Sequence, residues 1–146
     1  MSAAPLIQST RPLEITTPLG ADVVGLRSIR VQEQLSGGFT IEAELSSLDP
    51  SIKFDDIVGH PVTVRLDLPN KEKRFWHGYV ARFYMVGASG HFFHYRALIV
   101  HWLWALTRSA DCRIFQKLTV PDIVQQVFRD CGEKDFHVRL RSEERR

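Results

Sequence analysis

"LSGGFTIEAELSS", residues 35–47, decides the fold class. Phe39, Ile41, Ala43 and Leu45 alternate with Thr40, Glu42, Glu44 and Ser46. A period of two sends the first set to one side of a strand and the second set to the other, so this is a half-buried β-strand. Ser36-Gly37-Gly38 stands before it, a turn whose glycines accept positive φ. Leu26, Ile29, Val31 and Leu35 form a rougher apolar series upstream. Residues 26–46 therefore read as a hairpin.

The same pattern recurs downstream. Val62, Val64, Leu66 and Leu68 alternate with Thr63, Arg65 and Asp67 between Pro61 and Pro69-Asn70, which makes a third strand. Residues 74–86 and 91–100 are long and rich in β-branched and aromatic residues, with Gly87-Ala88-Ser89-Gly90 between them. They predict a second hairpin, with Gly78 as a bulge or a point of close approach. One helix is well signalled. Thr119 is a cap, Pro121 suits a first turn and Asp122 complements the helix dipole. Because Pro121 disfavours α geometry at Val120, the cap stands at Thr119 or one residue later. Ile123, Val124, Val127, Phe128 and Cys131 share a face, and Gly132 is placed to end the helix. The expected fold is mainly β with a minor α part: a strongly curved, antiparallel, barrel-like sheet followed by a packing helix.

Composition narrows the function classes. The chain has 146 residues, 44% hydrophobic and 25% charged, which suits one globular domain with its own core. Its 19 basic and 17 acidic residues leave a net charge of +2, a poor electrostatic footprint for nucleic acid. Trp76, Tyr79, Phe83, Tyr84, Phe92, Phe93 and Tyr95 could stack bases or line a cavity, but core packing is the default for such a set. The apolar run from Ala97 to Leu106 contains a histidine and is half the roughly 20 residues that a spanning helix needs. The N-terminus has no basic start followed by an apolar segment, so no secretory signal is expected. The segment 133–146 is dominated by charged residues, a poor end for a domain, and points to a longer parent chain.

No residue set carries recognisable catalysis. His91 and His94 would face opposite sides of a strand, and no HExxH or ligand-spaced carboxylate accompanies them, so no metal is expected. Cys112 lies between Asp111 and Arg113, and the Arg113 charge would favour a thiolate, yet no cysteine-enzyme signature surrounds it. Cys112 and Cys131 read instead as reduced structural thiols, the former buried beside Ile114 and Phe115. Phosphate loops, GxSxG and paired acids are missing. No catalytic residue and no cofactor are assigned.

"RFWHGYVARFYMVG", residues 74–87, and "HFFHYRALIVHWLWALTRSADCRIFQKLTVPDIVQQVFRDCG", residues 91–132, strongly resemble the N-terminal region of the VgrG spike proteins of bacterial type VI secretion systems. That region is related to the baseplate hub of contractile phage tails. The matching features run in the family's order: "PLG" at 18–20, "LSGGFTIEAELSS", "IVGHPVTVRL" at 57–66, "HGYV" at 77–80, the tryptophan-rich turn, "SADCRIFQ" at 109–116 and "TVPDIV" at 119–124. They cover roughly residues 10–140. His101 is a departure, since the family would place proline before the Trp102-Leu103-Trp104 turn.

The resemblance implies a structural part of a machine. It implies two barrel-like subdomains per full-length chain, a homotrimer whose ring matches the hexameric Hcp tube, and a β-helix needle that carries a PAAR tip protein and effectors. This sequence would be the first part of that hub, with the barrel at about 12–106, a corner at 107–118, a helix at about 120–131 and a charged tail at 133–146. Alone, it is expected to be a monomer or weak oligomer with an exposed apolar or edge-strand patch. The family's location would be the bacterial cytoplasm before firing, then the medium or a target cell, with no signal peptide and no membrane-spanning segment. Trp102, Leu103, Trp104, Asp111, Arg113, Ile114, Phe115, Gln116, Thr119, Pro121, Asp122 and Ile123 are then structural, the tryptophans sealing the barrel's end. Trp102 and Trp104 share a side if that segment is extended and are separated if it is a helical turn. Two rivals remain: a small-ligand-binding β-barrel, which needs a hollow interior with convergent polar groups, and a cysteine-dependent enzyme, which needs a base such as His101 beside Cys112.

Overall fold

The computed structural model describes residues 6–108, 110, 112–133 and 136–139. Two compact units divide the chain, one ending at Trp104 and the other beginning at Ala105.

The first unit is a six-stranded sheet. Its strands are β1 (Leu13–Thr16), β2 (Val24–Gln34), β3 (Gly38–Ser47), β4 (Pro61–Asp67), β5 (Lys73–Ser89) and β6 (Phe92–Val100). Their spatial order is β1-β4-β5-β6-β3-β2, and every neighbouring pair is antiparallel. The two ends of that order, β1 and β2, come within 8 Å of each other at their Cα atoms, so the sheet curls round on itself. Curling gives it an inside. Ile41, Ala43 and Leu45 of β3, Val62 and Val64 of β4, Val80 and Phe83 of β5, and Tyr95, Ala97 and Ile99 of β6 fill it. Fully burying one such aliphatic or aromatic side chain contributes about 1.5–3 kcal/mol, and this shared interior is what holds six strands together. Tyr95 stacks on Phe83 with centroids 5.0 Å apart, Phe54 meets Phe83 edge-on at 6.0 Å, and the Tyr95 hydroxyl donates to the Asp49 carbonyl at 2.8 Å.

Bulges explain which strands alternate cleanly. β3 and β4 keep one parity, as their patterns predict. In β2 the register slips between Leu26 and Ser28, so Val24 and Leu26 face inward before Arg27, and Ile29 and Val31 after it. In β5 the slip between Val80 and Arg82 moves the inward set from Trp76 and Val80 to Phe83. A second slip between Met85 and Gly87 follows. Gly78 carries no bulge; it is the close-approach point, because a Cβ there would stand 2.3 Å from the Val100 carbonyl oxygen. The β5–β6 connection is tighter than the glycines suggest. Gly87, Ala88 and Ser89 remain in β5, and the turn is Gly90-His91, with Gly90 at φ 60.

Past β6, His101-Trp102 leads into α1 (Leu103–Leu106), so the tryptophan pair belongs to a helical turn and not to an extended segment. In the second unit, α2 (Val120–Asp130) starts at Thr119 itself. The Thr119 hydroxyl accepts from the Asp122 N–H, and the Asp122 carboxylate accepts from the Thr119 N–H at 3.3 Å, a reciprocal capping box. Gly132, at φ 90, ends the helix as expected. Its N–H donates to the Arg129 carbonyl and that of Glu133 to the Phe128 carbonyl, both at 3.0 Å, the Schellman pattern. Phe128 meets Phe136 edge-on at 5.2 Å.

Three expectations need correction. Cys112 is exposed, as is Cys131; residues 112–119 form neither helix nor strand, so no packed element covers the Cys112 thiol. The apolar face of α2 is not buried: Ile123, Val127 and Phe128 are half-buried, while Val124 and Cys131 are exposed. Finally, Tyr79, Tyr84 and Phe92 stand outside the core cluster; Tyr84 is on the outer side of β5 because the Ala81 bulge shifts parity.

Candidate functional site

The sheet's exposed face carries two polar cross-strand rows. Arg30, Glu42, Leu98 and Arg82 make one, running β2-β3-β6-β5, and Ser28, Glu44, Arg96 and Tyr84 make the next. Together they line a depression of about 520 Å³ on that face. Glu44 is its hub: it accepts from Ser28 at 2.8 Å and from Arg96 at 3.0 Å. The Ser28 hydroxyl, and then Arg96, hold the Glu44 carboxyl below the usual glutamate range, and Glu44 in turn holds the Arg96 guanidinium up. One row further, His94 Nδ1 accepts from Arg27 at 3.2 Å, with Ser46 Oγ at 3.3 Å. Exposed pairs of this kind fix side-chain geometry more than they stabilise the fold.

A second cluster ties strands that are not neighbours. Glu33, near the end of β2, accepts from the Trp76 indole N–H at 2.9 Å and pairs with Arg74, both on β5. The Arg74 guanidinium lies over the Trp76 ring, 4.7 Å from its centroid. The indole hydrogen bond, assisted by Arg74, holds the Glu33 carboxyl below its ordinary value. At β1 and β4, Arg65 pairs with Glu14 at 2.8 Å and Asp67 at 3.2 Å.

The residues singled out in the sequence are spread along the chain after β6. Trp102 and Trp104 are half-buried and Leu103 is exposed. Arg113 pairs with Asp130 of α2 at 2.7 Å, Ile114 is 88% exposed, Phe115 is half-buried and Gln116 exposed. Thr119 and Asp122 form the cap, and Pro121 and Ile123 are half-buried. Asp111 lies outside the described residues, as does most of the charged tail. Sequence reasoning missed Gln8, Glu33, Arg74 and Arg96, for no motif or period marks them; each works through a partner at least 16 residues away.

The barrel interior is filled by apolar side chains, and the depression opens on the outer face. Among the described residues, no three His, Cys, Asp or Glu side chains stand together as metal ligands, and no helix is long and apolar enough to cross a membrane.

Relatives agree with a structural reading. A family model described as the phage tail baseplate hub (GPD) matches residues 32–146. The type VI secretion system spike protein VgrG1c of Pseudomonas aeruginosa is 43% identical over 129 residues, covering 88% of this chain and 18% of that protein. Spike protein VgrG1a of the same organism is 42% identical over 130 residues, covering 89% and 20%. The chain thus spans about a fifth of the length of these curated relatives. Among solved structures, the E. coli c3393 protein superposes with a TM-score of 0.57 at 25% identity, over 73% of this chain and 31% of that one. It is described as a component of the type VI secretion system with structural similarity to the T4 bacteriophage tail proteins gp27 and gp5. A curled antiparallel sheet with a packed interior and a match running from the last residues of β2 onward lead to one assignment: the chain belongs to the phage tail baseplate hub (GPD) family, alongside the type VI secretion spike proteins.

Proposed function

We propose that this chain is the N-terminal hub part of a contractile-injection spike and that its work is mechanical. Residues of about 12–106 serve as the barrel, 107–118 as the corner and 120–131 as the helix of that part. Trp102, Trp104, Arg113, Thr119 and Asp122 act as structural residues, and none acts in catalysis. In a full-length spike the hub forms a homotrimer on the Hcp tube, and the PAAR tip and effectors are carried by regions beyond it. The spike waits in the cytoplasm and leaves the cell when the sheath contracts. Force passes through the stack by shape and stiffness, for which a close-packed interior is the relevant property.

One observation carries this reading: the family match extends over residues 32–146 and includes β3, β4, β5 and β6 whole, the end of β2, and α2. Grafting this chain in place of the matching segment of VgrG1c tests it, with release of the tube protein into the medium as readout. The chimera is expected to support release, and the same chimera with Ile41→Asp, which puts a charge at a site with 0% exposure, is expected to lose it. A stable chimera that releases no tube protein overturns the reading.

A further inference from the structure

The outer face of the sheet leaves part of its charge unmatched. In the row of Ser28, Glu44, Arg96 and Tyr84, the Glu44 carboxylate is taken up by Ser28 and Arg96. In the neighbouring row, Arg30 stands directly across the ladder from Glu42, and Leu98 and then Arg82 follow. Among the described residues, Arg30, Glu42 and Arg82 are all exposed and make no ion pair or side-chain hydrogen bond. These three line the depression of about 520 Å³, with half-buried Leu98 and exposed Tyr84 beside them. Every basic residue around it is arginine. A guanidinium presents a planar fork of donors that takes a carboxylate by two parallel hydrogen bonds, which an ammonium cannot do. Arginine and tyrosine are also enriched where proteins bind one another.

The order of the charges selects the occupant. Adjacent strands lie about 4.8 Å apart, so Arg30 and Arg82 stand three strand steps, or about 14 Å, from each other at the backbone. Glu42 lies between them. A nucleic-acid strand carries a charge at every nucleotide and would hold phosphates over Glu42. A second copy of this face, related by a two-fold axis, would set arginine against arginine at both ends of the row. The chain's net charge of +2 offers no acidic surplus elsewhere for such a pairing. An extended peptide fits better. It advances about 3.4 Å per residue and turns alternate side chains to one side, so two acids four residues apart span about 14 Å. The residue midway between them then falls near Glu42, where a basic side chain suits it.

We propose that the β2-β3-β6-β5 face is a docking surface for an acidic segment of a partner protein. Arg30 and Arg82 each hold one carboxylate of that segment, and a basic residue between the two acids meets Glu42. Leu98 and Tyr84 supply apolar contact beneath it. The Ser28–Glu44–Arg96 row is already satisfied and forms one wall of the surface.

Titration of the full chain with the peptide acetyl-Gly-Glu-Ser-Lys-Ser-Glu-Gly-amide tests this, followed by NMR of backbone amides and arginine Nε–H groups. Saturable shifts at Arg30, Glu42, Leu98 and Arg82 are expected, with binding that weakens as salt rises. The double variant Arg30→Ala, Arg82→Ala is expected to bind at least about tenfold more weakly. Both positions are exposed, so its Ile41 and Ile99 amides should keep the parent's shifts. The double variant Arg30→Lys, Arg82→Lys keeps the charge without the fork and should fall between the two. A peptide with the charges exchanged, Lys-Ser-Glu-Ser-Lys in the same frame, is expected not to bind. Equal binding of that peptide, unchanged binding by the double alanine variant, or shifts confined to other residues would each overturn the proposal. So would a thymidine oligonucleotide that binds these residues more tightly than the peptide, which would assign the face to nucleic acid. Shifts at the same residues on concentrating the chain alone, stronger than those the peptide produces, would assign it instead to a second copy.

Discussion

The imidazole of His101 lies against Gly38: a Cβ on that glycine would stand 2.3 Å from the ring's Cδ2. The His101 N–H donates to the Phe39 carbonyl at 3.3 Å, and the two rings are tilted with centroids 6.2 Å apart. The residue after β6 is thus fitted onto the start of β3, and only a glycine leaves it room. Gly38 is at φ 72 and Gly59 at φ 79, but nothing lies within 4 Å of a Cβ at Gly59. Gly59→Ala isolates the backbone strain, expected to cost about 1–2 kcal/mol. Gly38→Ala adds overpacking against His101, a further cost of about 1–3 kcal/mol. Urea midpoints at an unchanged slope measure the difference, and equal midpoints would mean the ring moves away freely.

Acid should loosen the outer contacts in a defined window. Glu33 is held down by the Trp76 indole and Arg74, and Glu44 by Ser28 and Arg96. A carboxyl whose folded pKa lies below its unfolded one contributes stability above the unfolded value, about 4.3 for glutamate, and loses it as pH falls through the folded value. The unfolding midpoint is therefore expected to drop as pH falls below that range. The double variant Glu33→Gln, Glu44→Gln should show a flatter acid limb than the parent.

Tyr95 combines a packing role with a polar one. Tyr95→Phe removes the hydroxyl that reaches the Asp49 carbonyl and is expected to cost about 1 kcal/mol. Tyr95→Ala also removes the ring stacked on Phe83 and should cost about 3–5 kcal/mol. Denaturant titration of the two variants separates the contributions. Near-equal losses would show that the hydroxyl, not the ring, anchors the loop at Asp49.

Thr119→Ala breaks the capping box of α2 and should destabilise that helix by about 1 kcal/mol. Exchange rates of the first-turn amides, that of Asp122 above all, report it directly. Thr119→Ser, which keeps the hydroxyl, is expected to restore protection.

The strands that could be read from the sequence are those with a single parity. Ile41, Ala43 and Leu45 in β3, and Val62 and Val64 in β4, alternate without interruption and face the core. Bulges at Arg27 and Ala81 broke the period in β2 and β5, which is why their apolar series looked rough and why Tyr84 was grouped with the core aromatics. β1 spans four residues, too few for any period to show. The helix ends were legible because capping is local chemistry. Exposure of Cys112 and Ile114 was not, since it depends on what the rest of the fold covers. Gln8 was invisible for the same reason: its partners lie up to 18 positions away, and no motif announces them.

The strand order sets a timetable for folding. The β2–β3 and β5–β6 hairpins join sequence neighbours and can form early, as local contacts generally do. β1 cannot, because Leu13 pairs with Leu66. On a ribosome, a chain emerging N-terminus first would hold its first strand unpaired until β4 had been made. Through that interval Gln8 could reach the backbone of β2 but not a β1 held in place by β4. The barrel is therefore closed late, by a strand made well before the partner that holds it.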